Sequence, residues 1–293
     1  MVIIMKKKKR KRIIIILLLI VIGFLFSLKN NSKVKIKDKA FIEMIINNTF
    51  EKENFIDKII TKTIEITNPV KLWSINYKEE EKIKEVSNTN KSPTIYLYNT
   101  HQSEEYEETT FQDISVNPTV IMNNYIMEDI LKKNGYEVVV EEQSIKDILN
   151  QNRWKYNESY KASRYLLEQS IIKYPSLEYF IDIHRDSLTK DKTTITINDK
   201  NYAKILFIVG MENANYQENL TFTEKINNII NNKYPNLSKG IYKKSGPGVN
   251  GVYNQDFNSK TILVEIGGFQ NNPEEVLNTA VTFTNCFLEA INE

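Results

Sequence analysis

The second half of this chain alternates short apolar runs of strand length with longer segments of helical periodicity. The apolar runs lie at residues 94–100, 136–140, 179–184, 204–210 and 261–267. The helical patterns cover residues 118–134, 157–174, 216–233 and 273–290. Several runs are apolar on both faces, which is typical of a mainly parallel sheet with helices on both sides. We therefore predict an α/β domain over residues 92–293, with three α/β/α layers. The hairpin-like pattern at 195–209 allows that sheet to be mixed.

The N-terminus combines a basic run with an uncharged apolar stretch. Residues 6–12 are all lysine or arginine, and residues 13–28 carry no charge. With its first polar neighbours, this stretch approaches the roughly 20 residues that span a bilayer as a helix. A secretory signal peptide begins in a similar way, but no small-residue cleavage site follows here. We predict a basic cytoplasmic tail at 1–12 and an uncleaved transmembrane anchor at 13–29.

The charge distribution around the predicted anchor indicates a topology. Basic flanks stay in the cytoplasm, so we expect a single-pass protein of the cell membrane with its C-terminal domain on the extracytoplasmic side. Residues 30–91 are polar and rich in charge, which predicts a membrane-proximal stalk. Cys286 is the only cysteine, so an intrachain disulfide is excluded.

The charge balance argues against a nucleic-acid partner. The chain has 39 basic and 37 acidic side chains, but seven of the basic ones lie in the N-terminal run. The rest of the chain is therefore acidic overall. Phosphate binding needs the opposite sign, so we expect no nucleic-acid binding.

The chain has only two histidines, His101 and His184, and each directly follows an apolar run. Functional groups of open α/β sheets gather beyond the carboxyl ends of the strands, so these two imidazoles are candidates for one site. Glu104 lies three residues after His101. Glu265 interrupts a third apolar run, and a carboxyl buried there would be costly unless it has a partner or a function. The alternative is that the histidines are structural and that the acids after His101 form a solvated loop.

Two histidines with one carboxylate are a ligand set of catalytic zinc sites, which keep a fourth position for water. A second carboxylate beside that water would serve as general base. Spacing alone leaves Glu104 and Glu105 both open as the carboxylate ligand. A serine nucleophile at Ser187 is disfavoured because no nucleophile elbow surrounds it. The polar loop that ends at 254–256 is compatible with substrate binding or with a simple turn.

Five segments in order, together with the basic and apolar N-terminus, resemble the stage II sporulation protein P family. They read YLYNTHQSEEY, DIHRDS, LFIVGMEN, GVYNQDF and LVEIGGFQNNPEE. Members of this family are membrane-anchored N-acetylmuramoyl-L-alanine amidases of endospore-forming bacteria. The resemblance implies one zinc ion held by His101, Glu104 and His184, with Glu265 as catalytic acid and base. Family members often carry two histidines in the first motif, where this chain has Asn99 and His101.

The resemblance also implies roles for four further residues and for partners. Arg185 and Asp186 would support the ligands or contact substrate, and Asn254 and Gln255 would line the substrate cleft. The substrate would be peptidoglycan, and the partners a lytic transglycosylase and an integral membrane sporulation protein. Two other functions are weighed against the amidase: a zinc endopeptidase that cuts within the stem peptides, and a non-catalytic scaffold that binds the wall.

Overall fold

The computed structural model describes residues 92–107 and 118–292 of the chain. The predicted tail at 1–12, anchor at 13–29 and stalk at 30–91 lie outside the described residues. Among the helices that are described, none has the length and hydropathy needed to cross a bilayer.

The described chain alternates strands and helices in the order that the sequence predicts. The strands are β1 (Ile95–Tyr98), β2 (Val138–Val140), β3 (Tyr179–Asp186), β4 (Thr194–Ile197), β5 (Lys200–Ala203), β6 (Ile205–Gly210), β7 (Ser238–Lys244) and β8 (Thr261–Gly268). The helices are α1 (Ile121–Lys133), α2 (Ile145–Asn152), α3 (Ser159–Lys173), α4 (Lys190–Thr193), α5 (Tyr216–Lys233) and α6 (Pro273–Asn292). Short 3₁₀ turns at Tyr156–Glu158 and Gln255–Phe257 precede α3 and β8.

Six strands form one mixed sheet in the order β2-β1-β3-β8-β6-β7. The first four strands in that order run parallel to one another. β6 is parallel to β7 but antiparallel to β8. The prediction of an α/β sheet that is mainly parallel or mixed is therefore confirmed in its mixed form. The predicted hairpin is present as β4 and β5, which form a separate two-stranded sheet, so the mixing comes from β6.

The two residues after β1 show that helices cover both faces of the sheet. Asn99 and Thr100 alternate in direction, as successive residues of an extended chain do. The Asn99 side chain donates to Asn124 of α1, whereas the Thr100 hydroxyl is hydrogen-bonded to the Ser163 hydroxyl of α3 at 2.8 Å. Tyr96, Tyr98 and Phe180 lie on the Thr100 side and pack against Leu167 of α3. The residues that follow β1 are thus fixed between two layers of helices.

A bulge ends the pairing of β3 with β8. His184 pairs with Glu265, but Asp186 pairs with Gly268, so β8 contains one extra residue. Gly267 has φ +68, and a Cβ there would lie 2.8 Å from Asn271 Oδ1 and 2.9 Å from Ala203 Cβ. Asn271 Oδ1 in turn accepts a hydrogen bond of 2.7 Å from the Gly268 N–H. Only glycine fits this position without displacing the chain that leads from β8 into α6.

Candidate metal centre

Three side chains from two strand ends converge at the carboxyl edge of the parallel strands. His101 and Glu104 follow β1, and His184 lies near the end of the neighbouring strand β3. One ligand atom from each residue lies within 4.8 Å of the other two. Glu104 lies between the histidines: its Oε1 is 3.4 Å from His101 Nδ1, and its Oε2 is 3.4 Å from His184 Nδ1.

The donor set fits a zinc site. Two imidazoles and a carboxylate are ligands that zinc accepts, and they leave one position for water. One ligand atom from each residue lies close enough to the other two for a single ion to contact all three. The two 3.4 Å contacts, however, involve different oxygens of Glu104.

Glu104 is held in place by two hydrogen bonds with backbone groups, one of His101 and one of Arg185. Its N–H donates to the His101 carbonyl at 3.0 Å, which closes a tight turn, and its Oε2 accepts a 3.0 Å hydrogen bond from the Arg185 N–H. Burial alone would raise the pKa of this carboxyl, but the hydrogen bonds from His101, His184 and the Arg185 amide outweigh burial and lower it to about 2. Glu105 is exposed and lies outside the cluster, so Glu104 is the carboxylate that belongs to the candidate ligand set.

Asp182 supports His184 from behind, and the sequence analysis did not identify it. Its carboxylate is fully buried and accepts hydrogen bonds from the N–H and the hydroxyl of Thr100, at 2.9 and 2.7 Å. Asp182 Oδ1 also lies 3.0 Å from His184 Nε2, although this contact falls short of a well-aligned hydrogen bond. Metal-ligating histidines are commonly oriented by such a carboxylate on the other ring nitrogen.

The electrostatic consequence for His184 is large. Burial would lower the pKa of this imidazole, but the adjacent Asp182 and Glu104 carboxylates raise it to about 10. A metal ion that binds here must therefore displace a proton. A signal for Asp182 exists in the sequence, because it precedes His184 by two residues on one strand and so faces the same side.

Glu265 lies beside His184 in the adjacent strand. The two residues are partners in the parallel register of β3 and β8, so their side chains leave the same face of the sheet. Burial, with a further contribution from Asp186, raises the pKa of the Glu265 carboxyl to about 7. A carboxyl with such a pKa can both take up and release a proton near neutral pH.

Asp186 and Arg185 frame this arrangement. Asp186 is buried and its Oδ2 lies 2.5 Å from Lys239 Nζ, which reaches the site from β7. The Arg185 guanidinium does not point at the ligand atoms. Its Nε donates to the Glu105 carbonyl at 2.7 Å, while the Arg185 backbone holds Glu104. Arg185 therefore supports the segment that carries Glu104 and Glu105. Lys239 is a second residue that the sequence analysis did not identify.

Two tyrosines contact the histidines, and a third packs against one of these tyrosines. The Tyr156 ring stacks on His101, with centroids 5.2 Å apart. Tyr160 stands edge-on to His101 and parallel to His184, and Tyr253 meets Tyr160 edge-on. Burial raises the pKa of Tyr160 well above its usual value, so its hydroxyl stays neutral. These rings form an aromatic wall over the histidines.

The expectation that Asn254 and Gln255 line the cleft is not met for Gln255. Its side chain is fully buried, its Oε1 accepts from the Gly210 N–H, and its Nε2 donates to the Ile208 carbonyl, both at 2.8 Å. Asn254 is buried as well, and its amide donates to the Tyr160 carbonyl and the Ser163 hydroxyl. Both residues fasten the loop before β8 to the domain, because polar groups that leave water need partners.

A family model supplies the identification. The model for stage II sporulation protein P matches residues 21–288. The chain belongs to the stage II sporulation protein P family. It is also 34% identical over 209 residues to stage II sporulation protein P of Bacillus subtilis (strain 168), in an alignment that covers 69% of this chain and 52% of that protein. The chain thus spans about half the length of this relative.

Solved structures with some likeness to the fold are enzymes of low sequence identity. The CwlD amidase from Clostridioides difficile in complex with the GerS lipoprotein is 12% identical, with a TM-score of 0.45 over 68% of this chain and 98% of that chain. An N-acetylmuramoyl-L-alanine amidase from Clostridium difficile 630 is 13% identical, with a TM-score of 0.41 over 69% of this chain and 96% of that chain.

Proposed function

We propose that this protein is a zinc-dependent peptidoglycan hydrolase that cleaves the amide bond between N-acetylmuramic acid and the L-alanine of the stem peptide. The observation that carries the proposal is the cluster of His101, Glu104 and His184 with Glu265 beside it in register. Three ligands and an adjacent titrating carboxylate are the parts that metal-assisted amide hydrolysis requires. Membership of the sporulation family supports the choice of the bacterial wall as substrate.

Each residue has a defined task in this reaction. Zinc bound by the three ligands would supply a water of lowered pKa and polarise the scissile carbonyl. Glu265 takes the proton that the attacking water gives up and passes it to the departing amine of L-alanine. Glu265 suits both steps because burial raises its pKa to about 7. Asp182 keeps the His184 ring oriented so that Nδ1 faces the ligand position.

The cellular setting is part of the same proposal. The predicted anchor at 13–29 would hold the hydrolase on the outer side of the cell membrane, where the wall is. Family membership supports a role in septal wall remodelling during engulfment. A complex with a lytic transglycosylase and an integral membrane protein would combine cleavage of glycan strands with removal of their peptides.

The test is digestion of purified peptidoglycan by the full chain with zinc, with the products identified by mass spectrometry. Amidase activity produces peptides with a free L-alanine amino group and glycan strands with free lactyl carboxylates. New termini inside peptides that stay attached to glycan would instead identify an endopeptidase. Binding without any new terminus would identify a scaffold. The Glu265→Gln variant serves as the matched inactive control.

A further inference from the structure

We infer that a cavity beside His101 is the site where the stem peptide binds, and that Lys146 at this cavity takes a carboxylate of the peptide. The inference rests on the proposed function and adds the direction in which the substrate lies. The cavity has a volume of about 260 Å³. Its walls include His101, Gln102, Ile145, Lys146, Leu149 and Tyr156.

The cavity and the candidate metal centre share one rigid segment. His101 is a candidate ligand, and its neighbour Gln102 fastens the loop that leads into α2. Gln102 Nε2 donates to the Gln143 carbonyl at 2.7 Å, and Gln102 Oε1 accepts from the Ile145 N–H at 2.8 Å. Ser144 caps the same helix through the Asp147 N–H. These hydrogen bonds fix the position of the cavity relative to the candidate metal ligands, as a substrate subsite requires.

The chemistry of the cavity suits an acidic peptide. Ile145 and Leu149 are buried and provide apolar walls. The Tyr156 ring stacks on His101 but remains 59% exposed, so a flat surface is available to ligand. Lys146 is exposed and is the only lysine, arginine or carboxylate among the lining residues. No residue of the described chain forms an ion pair with it.

The charge pattern across the centre gives the direction. Sheet order places the cavity on the β1 and β2 side of the ligands, whereas Glu265 and Asp186 lie toward β8. Toward β8 the Asp186 carboxylate is already paired with Lys239, whereas Lys146 at the cavity has no ion-pair partner among the described residues. The cavity side therefore offers the available cation for a substrate carboxylate.

The cavity has the size of a short peptide fragment. Pockets that enclose drug-sized ligands have volumes of roughly 300–1,000 Å³, and this cavity is slightly smaller. A cavity of this size suits a short peptide fragment rather than a whole stem peptide. An acidic side chain at the second residue would then lie within reach of Lys146.

The experiment compares two synthetic muramyl peptides that differ only in one group. One carries a free carboxylate on its second residue, and in the other that carboxylate is amidated. The variants are Lys146→Ala and Lys146→Glu, with Lys243→Glu at the other edge of the sheet as control. Dissociation constants are measured for each variant in the Glu265→Gln background, so that no turnover is needed, and KM and kcat in the active chain.

We expect Lys146→Ala to weaken binding of the free-carboxylate peptide about fivefold, and Lys146→Glu to weaken it further, because an exposed charge pair has that magnitude. Binding of the amidated peptide should change less than twofold, and kcat should be unchanged for both. Equal losses for both peptides, no loss for either, or no binding of either peptide to the Glu265→Gln chain would overturn the inference. If the native chain hydrolyses neither peptide, the proposed amidase activity is refuted. The binding comparison in the Glu265→Gln chain still tests the cavity, because it does not depend on turnover.

Discussion

His184 and Glu265 are direct partners in the parallel register of β3 and β8, so a candidate metal ligand and a candidate proton carrier leave the same face of the sheet side by side. Parallel strands of α/β proteins present functional groups at their carboxyl edge. Here the backbone hydrogen bonding of the sheet sets the separation of the two groups. Their relative position is therefore as rigid as the central strands themselves.

The Glu265→Gln substitution should abolish turnover and at the same time stabilise the metal-free protein above pH 7. The native carboxyl has its pKa raised from 4.5 to about 7 on folding. The contribution of Glu265 to the free energy of unfolding is fully present below about pH 4.5 and is lost as the pH rises through about 7. Glutamine stays neutral, so the variant should be more stable at pH 8 by on the order of 1–3 kcal/mol.

Urea unfolding of both proteins at pH 4 and pH 8, with a chelator present, measures this difference. Glu218→Gln, on the exposed first turn of α5, controls for loss of one negative charge elsewhere. If the inactive variant and the native protein have the same stability at pH 4 and also at pH 8, Glu265 is ionised at little cost in the native protein.

The Asp182→Asn substitution should weaken zinc binding about 10–100-fold, because removal of the carboxylate behind a ligating histidine has effects of this size. Asparagine keeps the volume and one acceptor for Thr100, but it removes the charge next to His184 Nε2. Competition against a chromophoric chelator gives the affinity. Thr100→Val, which removes the hydroxyl bonds to Asp182 and Ser163 but leaves the Asp182 charge in place, should have a smaller effect. Equal affinities in the native and Asp182→Asn chains would contradict the orienting role.

Much of this site could be predicted from local pattern, because apolar runs indicate strands and the residues after them indicate the carboxyl edge. His101, Glu104 and His184 follow neighbouring parallel strands and do meet. Contacts between distant segments carry no such pattern. The role of Asp182 depends on its contacts with Thr100, 82 residues earlier, and with His184, which the strand pattern alone does not show.

Gln255 illustrates the opposite error. A polar residue in a glycine-rich loop indicates exposure, since loops usually run over the surface. In the folded chain, however, the ends of this loop pack against β6, 45 residues earlier, and Gln255 replaces a missing strand neighbour for the Gly210 N–H and the Ile208 carbonyl. The direction of β6 in the sheet was likewise open, because strand order depends on pairing between distant segments.

Zinc binding should release the proton of His184 at pH 6. In the metal-free protein the pKa of His184 is raised to about 10 and that of Glu104 is lowered to about 2. His184 therefore loses a proton on binding, whereas Glu104 has none to lose. Titration calorimetry in buffers of different ionisation enthalpy measures the release. At pH 6 a zinc-bound water with a pKa of about 7 contributes little.

The same protonation has a consequence for stability without metal. The charged His184 contributes stability that is fully present below pH 6.5 and is lost as the pH rises through about 10. The zinc-free chain should therefore lose stability over that range, while zinc-bound protein should not. Heats of zinc binding that are identical in all buffers would contradict a protonated His184.

The Gln255→Leu substitution should lower stability without changing substrate affinity. Leucine leaves the Gly210 N–H and the Ile208 carbonyl unsatisfied in a buried place, and each such group costs about 1–3 kcal/mol. We expect the free energy of unfolding to fall by about 2–4 kcal/mol, while KM of the folded enzyme stays at the native value. Gln217→Leu, on the exposed surface of α5, is the matched control and should affect neither quantity. Urea unfolding and steady-state kinetics decide the matter, since a raised KM at native stability would place Gln255 in contact with substrate after all.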